Sequence, residues 1–220
     1  MTRRLQKCIL VVLVQIVWVI SKLFVKKYFK VIDNFLNPKT FARLLNAVES
    51  NSISWIWNND SYVDNNGKGD NLWMFSQILF NNNPPTIHPY YPAFQIIEDL
   101  QSDIVPFKKV LKLKLNLYPN QGKNISHKEH KDINTGEEID KEIMTSILNF
   151  HDCNGGTVVN INGKEENVPS KANRLILFDG DLLHTGSSPI KYKNRILINS
   201  NYIKNEYVEE FKIYLRNKYG

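Results

Sequence analysis

The stretch SHKEHKDI, residues 126–133, places His127, Glu129, His130 and Asp132 within six positions. Two histidines and one carboxylate on one side of a metal leave open positions for chemistry at a transition metal. Residues i and i+2 of a strand project to the same side. Either His127 with Glu129 or His130 with Asp132 therefore supplies a ligand pair, and a solvated charged turn is the third interpretation of the stretch.

Two residues far along the chain bear on this choice. His184 follows the apolar stretch RLILF and a DGD turn, and Arg195 opens another apolar stretch eleven residues later. A third metal ligand must come from a distant strand, and arginine is suited to gripping a carboxylate through two N–H groups. Arg195, Leu197 and Asn199 share one face of their strand. The pattern indicates a metal site with a carboxylate-binding group, and spacing alone leaves both ligand pairs open.

The order and spacing of several motifs resemble the iron(II)- and 2-oxoglutarate-dependent oxygenases, especially the prolyl 4-hydroxylase-like members and phage-encoded relatives. The motifs are LNLYPNQG, HKEHKD, NGGTVVNINGKEENVPSKANRLILF, HTG and NRILINSNY, within residues 111–202. KVIDNFLNPKTFARLL also suits the first strand and helix of that family. The resemblance implies an α+β, mainly β fold: a double-stranded β-helix (jelly roll, cupin-like) with N-terminal helices packed on one sheet.

The same resemblance implies roles for individual residues. His130, Asp132 and His184 would bind iron, and together with Arg195 they would form the catalytic group. Arg195 would pair with the distal carboxylate of 2-oxoglutarate, and Tyr118 would hydrogen-bond the same cosubstrate. Asn149 stands where prolyl hydroxylases often carry a second cosubstrate tyrosine.

Neighbouring residues of the motif receive other roles. Glu129 would point away from the metal. His127 would be exposed to solvent, with a place near the ligands or facing substrate as the alternative.

The implied activity is that of a dioxygenase that uses iron(II), 2-oxoglutarate and O2, with ascorbate as a stimulant. It would hydroxylate a peptidyl proline or another small or polymeric substrate and release succinate and CO2. Nucleic acid is not indicated as a partner. The alternative is a non-catalytic module, either a cupin-like metal-binding protein or a membrane-anchored interaction protein.

The elements that must position these residues show two periodicities. A turn is predicted at NPK, residues 37–39, and helical spacing of apolar residues predicts one helix after it, within 40–50, and another within 91–105. In KVLKLKLNLYP, leucines alternate with Lys112, Lys114, Asn116 and Tyr118, which predicts a strand with one face on a core and the other facing polar groups. Further strands are expected at YFKVI, LWMFSQILF, MTSILNF, GTVVNI, RLILF and RILINSNYI, a turn at NGKEEN and a closing helix at EYVEEFKIYLRNKYG.

Composition sets broad limits on the protein. A chain of 220 residues with 42% hydrophobic content is long enough for one domain with a substantial core. The net charge of +6 allows an anionic partner without requiring one. Cys8 and Cys153 do not form a disulfide framework, which favours a reducing compartment.

The first 25 residues are predicted to be a hydrophobic N-terminal segment, and residues 26–220 would form the oxygenase domain that the resemblance implies. Residues 8–21 carry no charge, but as a helix they span only about 21 Å, against roughly 30 Å of hydrocarbon. A short signal anchor, an interfacial helix and a buried element all remain open, with membrane contact through residues 8–25. A cytoplasmic protein is favoured, and anchorage by the N-terminus is the alternative.

Overall fold

The computed structural model describes residues 27–205, apart from 51, 64–65, 83, 124 and 134–137. Two α-helices and eleven strands make up its regular structure, with a short 3-10 helix at Glu138–Glu142. The helices are α1 (Pro38–Glu49) and α2 (Tyr91–Ser102). The strands are β1 (Phe29–Ile32), β2 (Ile56–Asn58), β3 (Met74–Asn82), β4 (Pro85–Ile87), β5 (Phe107–Pro119), β6 (Ile143–Asn149), β7 (Gly156–Ile161), β8 (Lys164–Pro169), β9 (Arg174–Asp179), β10 (His184–Gly186) and β11 (Asn194–Lys204).

The major sheet is antiparallel and runs in the order β1-β9-β6-β11-β5-β3-β2, with β4 added beside β3. Alternation along each strand sends one set of side chains towards the helices. Leu113 and Leu115 of β5 are fully buried there, together with Leu44 of α1 and Phe94 of α2. This apolar layer fixes which residues of β5 and β11 face the other way.

The opposite face of the major sheet packs on a minor sheet of order β10-β7-β8. A second, smaller core lies on this side and includes Ile147, Val159, Ile176 and Phe178. The minor sheet therefore covers one part of the inner face with apolar side chains. The remaining inner face, on β5 and β11, carries the polar residues predicted from the alternation.

Most of the predicted elements are confirmed. Both helices form, but the turn predicted at NPK is wrong. Pro38 and Lys39 are the first residues of α1, and Asn37 is its N-cap, whose side chain accepts a hydrogen bond from the Thr40 amide. The turn predicted at NGKEEN is only partly correct. Asn162 and Gly163, both at positive φ, make the turn, and the charged residues after them form β8 instead of loop.

Some sequence predictions fall on residues that lie outside the described part of the chain. They are the hydrophobic segment 1–25 and the closing helix of residues 206–220. Among the described residues, no helix combines the length and apolar character that crossing a membrane requires.

Candidate active site

The side chains of His130, Asp132 and His184 lie together, and their ligand atoms are all within 4.8 Å of one another. His184 begins β10, whereas His130 and Asp132 lie on the irregular connection that follows β5. The main chains of the two histidines are directly paired. The N–H of each donates to the carbonyl of the other at 2.9 Å. This pairing holds the connection against β10.

Backbone carbonyls orient both imidazole rings. Nδ1 of His130 lies 2.9 Å from the carbonyl oxygen of Lys128, and Nδ1 of His184 lies 3.4 Å from that of Leu182. These contacts favour the tautomer with the proton on Nδ1, which leaves the Nε2 lone pair for a metal. The Nε2 atoms lie 3.8 Å (His130) and 3.6 Å (His184) from the Asp132 carboxylate.

Asp132 is held by two amides of β11. Nδ2 of Asn199 and Nδ2 of Asn201 donate to Oδ2 of Asp132 at 2.9 and 3.0 Å. Burial opposes ionisation of this carboxyl, but the positive charge that His184 and His130 carry when protonated outweighs it and holds the pKa of Asp132 well below its usual range. The carboxylate is therefore ionised at neutral pH and fixed in direction.

This donor set suits iron(II). Two imidazole nitrogens and one carboxylate from three backbone positions match the two-histidine, one-carboxylate set of non-heme iron(II) oxygenases, which leaves positions open for other ligands. Each ligand already has a partner that orients it, as ligands of metal sites do.

Of the two predictions made for the residues beside the candidate ligands, the one for Glu129 agrees with the structure and the one for His127 does not. Glu129 is exposed and directed to the surface, as expected. The expectation that His127 is exposed is wrong, since only 5% of it is accessible. Its ring contacts the hydroxyls of Ser61 (2.7 Å) and Ser188 (3.2 Å), two residues remote in sequence that together enclose it.

Arg195 is completely buried next to the triad. One terminal nitrogen donates to the Gly156 carbonyl at 2.6 Å. The other donates to Oγ1 of Thr157 at 2.8 Å and Oδ1 of Asn149 at 3.1 Å. In the described part of the chain, Nε of Arg195 has no hydrogen-bond partner. A buried donor without an acceptor is costly, so this nitrogen is open to an anionic ligand.

Tyr118 lies directly opposite Arg195 in the pairing of β5 with β11. The guanidinium carbon is 5.8 Å from the centre of the tyrosine ring. Burial raises the pKa of Tyr118 to about 12, so the phenol stays protonated and can donate. Asn149, which the resemblance predicted to replace a second cosubstrate tyrosine, accepts hydrogen bonds from Arg195 and Ser170. It holds the guanidinium in place.

The candidate ligands and the candidate cosubstrate-binding residues line the same cavity. It is lined by the three candidate ligands and by Arg195 and Tyr118. A larger cavity of about 630 Å³ lies on the other face of the major sheet, beside α1, and contains none of the candidate ligands. The donor chemistry, and not size, makes the smaller cavity the candidate site.

Several polar residues of the site were not singled out as functional from the sequence. They are Asn199 and Asn201, which hold Asp132, Thr157, which holds Arg195, and Lys114, which lines the cavity. Burial and the charge of Lys112 lower the pKa of Lys114 to about 8. The alternation along β5 and β11 was a usable signal, because it places Lys114 and Asn199 on the face of Arg195 and Tyr118.

Comparisons with known proteins show the fold of the chain. No protein-family model matches the sequence, and neither does any curated protein. Solved structures do match. An oxidoreductase of the 2-oxoglutarate and iron(II) oxygenase family from Burkholderia pseudomallei has a TM-score of 0.59 at 10% identity, covering 82% of this chain and 86% of its own. The chain has the fold of the iron(II)- and 2-oxoglutarate-dependent oxygenases.

Two further neighbours show how varied the reactions on this fold are. The non-heme α-ketoglutarate-dependent epimerase SnoN from nogalamycin biosynthesis has a TM-score of 0.57 at 9% identity, covering 81% of this chain and 79% of its own. The viral collagen prolyl hydroxylase of Paramecium bursaria chlorella virus 1 has a TM-score of 0.50 at 17% identity, covering 81% and 96%. The double-stranded β-helix expected from the sequence is confirmed. An oxygenase fold that carries both reactions does not by itself define the substrate.

Proposed function

We propose that the protein is an iron(II)- and 2-oxoglutarate-dependent dioxygenase that hydroxylates its substrate and releases succinate and CO2. The observation that carries this proposal is one cavity lined by the His130, Asp132 and His184 cluster and by the buried Arg195. A purely structural metal site would need no buried guanidinium with an unpaired donor.

In this proposal the chain's own residues bind and orient. His130, Asp132 and His184 hold the metal through Nε2, a carboxylate oxygen and Nε2. Arg195 Nε and the protonated Tyr118 hydroxyl bind the distal carboxylate of 2-oxoglutarate. Iron and 2-oxoglutarate, when bound, supply the oxidation of a C–H bond with O2, and the protein supplies position and a pocket of low dielectric.

The alternative is a module that binds metal without turnover. The two are separated by succinate formation from 2-oxoglutarate in the presence of iron(II) and ascorbate, first without substrate and then with candidate substrates. We expect succinate from the wild type. Metal binding without succinate under every condition would favour the module.

Substitutions of the motif test the assignment of ligands. His130→Ala or Asp132→Ala is expected to abolish succinate formation, because either change removes a ligand. Glu129→Ala is the matched control, since this exposed carboxylate lies three residues from Asp132 and outside the cluster. Loss of turnover in Glu129→Ala with activity retained in Asp132→Ala would show that the other ligand pair is the correct one.

Arg195→Ala tests the cosubstrate site separately. It is expected to weaken 2-oxoglutarate binding and to leave the affinity for iron(II), titrated without 2-oxoglutarate, within about twofold. A large loss of iron affinity would contradict this role.

A further inference from the structure

A second cavity, of about 250 Å³, opens beside the candidate metal ligands. Its wall includes His130 and Asp132 and three lysines, Lys112, Lys114 and Lys131. We call this cavity, defined by these three lysines, the lysine pocket. It adjoins the metal site, so a molecule bound in it would lie next to the metal.

Two separate parts of the fold bring the lysines together. Lys112 and Lys114 are two residues apart on β5 and share its inner face. They pair with Asn201 and Asn199 of β11, the asparagines that hold Asp132. Lys131 comes from the connection that carries the metal ligands. The arrangement is therefore built by the sheet and the ligand segment together.

The positive charge of the lysine pocket is not balanced by the protein. All three lysines are partly buried, and among the described residues none of them has a carboxylate at ion-pair distance. The nearest acid, Asp132, is engaged by the histidines and by the two asparagines. Partly buried charges of one sign are unfavourable unless a counter-charge is present.

The proposed metal complex does not supply that counter-charge. The formal charges of iron(II), Asp132, doubly ionised 2-oxoglutarate and Arg195 cancel. The positive charges of the three lysine ammonium groups are not included in this sum and remain unbalanced. An anionic group of another molecule is the partner that would balance them.

The chemistry of the lysine pocket favours phosphate over carboxylate as that group. Arginine matches planar carboxylates through paired N–H groups, whereas lysine acts as a point charge and commonly binds phosphate. Ammonium groups arriving from two chain segments suit an anion with acceptor oxygens on several sides. The walls also contain the hydroxyl group of Tyr62, which can donate a hydrogen bond.

We propose that the lysine pocket binds a phosphate group of a small phosphorylated substrate and so holds the bond to be oxidised beside the metal. The substrate role rests on the proposed function, because it assumes that oxidation occurs at the triad. The site itself is defined by the lysines alone and can be tested without turnover.

The test is calorimetric titration of the full-length, metal-free protein with inorganic phosphate at constant ionic strength, with 2-oxoglutarate present to occupy Arg195. Saturable binding is expected in the wild type. Lys112→Gln, Lys114→Gln and Lys131→Gln should each weaken it roughly tenfold or more, as loss of a charge-assisted hydrogen bond does. Thermal unfolding of each variant shows that it is folded.

The control is the double variant Lys108→Gln/Lys109→Gln. These lysines are exposed on the same strand, and their removal changes the net charge by two without touching the lysine pocket. Phosphate affinity should stay within twofold of the wild type. An equal loss in this control, or the absence of saturable binding in the wild type, would overturn the proposal. Acetate that binds as tightly as phosphate would overturn the choice of anion.

Succinate formation by the wild type keeps the two proposals apart. Turnover without phosphate binding refutes the lysine pocket and leaves the oxygenase. Phosphate binding without turnover supports the site and refutes the oxygenase.

Discussion

The two asparagines that hold Asp132 lead to a quantitative prediction for metal affinity. Nδ2 of Asn199 is 2.9 Å and Nδ2 of Asn201 is 3.0 Å from the same carboxylate oxygen. Asn201 also donates to Thr145 and is fully buried, so replacing it would disturb packing as well. Asn199→Ala is the cleaner change, because among the described residues the side chain of Asn199 makes its hydrogen bond to Asp132 alone.

The size of the effect follows from that single contact. A hydrogen bond to a charged group contributes about 1.5–3 kcal/mol, and removal of a partner that orients a metal ligand commonly costs about 10–100-fold in affinity. The two ranges agree, since tenfold corresponds to about 1.4 kcal/mol. Asn199→Ala should therefore raise the Kd for iron(II) about 10–100-fold, with the second asparagine limiting the loss.

Anaerobic competition of the protein with a coloured iron(II) chelator measures this Kd. Asn58→Ala is the matched control. Asn58 is a partly buried strand asparagine whose amide donates to Ser76 on the major sheet, away from the triad. Its iron affinity should equal that of the wild type. If folded Asn199→Ala binds iron as tightly as Asn58→Ala does, the amides do not hold the ligand and the reasoning fails.

Further predictions concern stability and the cosubstrate site. Burial lowers the pKa of His127 from 6.5 to about 4. As the pH falls below about 6.5, the imidazole therefore becomes protonated in the unfolded chain while it stays neutral in the folded chain. Wild-type stability should fall by up to about 3 kcal/mol between pH 6.5 and 4; denaturant titrations should show that His127→Gln removes this loss and His88→Gln keeps it. Burial raises the pKa of Glu98 to about 7, so stability falls as pH rises from about 4.5 to 7. Glu98→Gln should add up to about 3 kcal/mol at pH 8, and an unchanged unfolding midpoint would contradict this. In Gly155→Ala the new Cβ would lie 2.6 Å from the Ser187 carbonyl and 3.2 Å from Cδ of Arg195; calorimetry should show weaker 2-oxoglutarate binding at unchanged iron affinity.

Alternation along strands was the part of the site that the sequence predicted well. A period of two needs only local residues, so the leucines of β5 were placed in the core and Lys114, Asn116 and Tyr118 on the polar face. The same rule put Asn199 on the face of Arg195. Its partner Asp132 is 67 residues away in sequence, and no local pattern connects the two.

The choice of ligand pair could not come from spacing. The i, i+2 argument assumes a strand, but residues 125–133 are irregular, with single bridges at Ser126 and His130 and a bend at Asp132. Ser61 and Ser188, which bury His127, lie 66 and 61 residues from it. The resemblance to a family selected His130 and Asp132, and the local pattern alone left His127 and Glu129 equally eligible.

The direct main-chain pairing of His130 with His184 links metal binding to local opening of the chain. Exchange of either amide hydrogen with solvent requires that this pair separate, and the same separation moves the two imidazoles apart. The exchange rates of these two amides therefore report how often the site opens. A metal that binds only the closed form would slow both rates by the same factor, one plus the ratio of its concentration to its Kd.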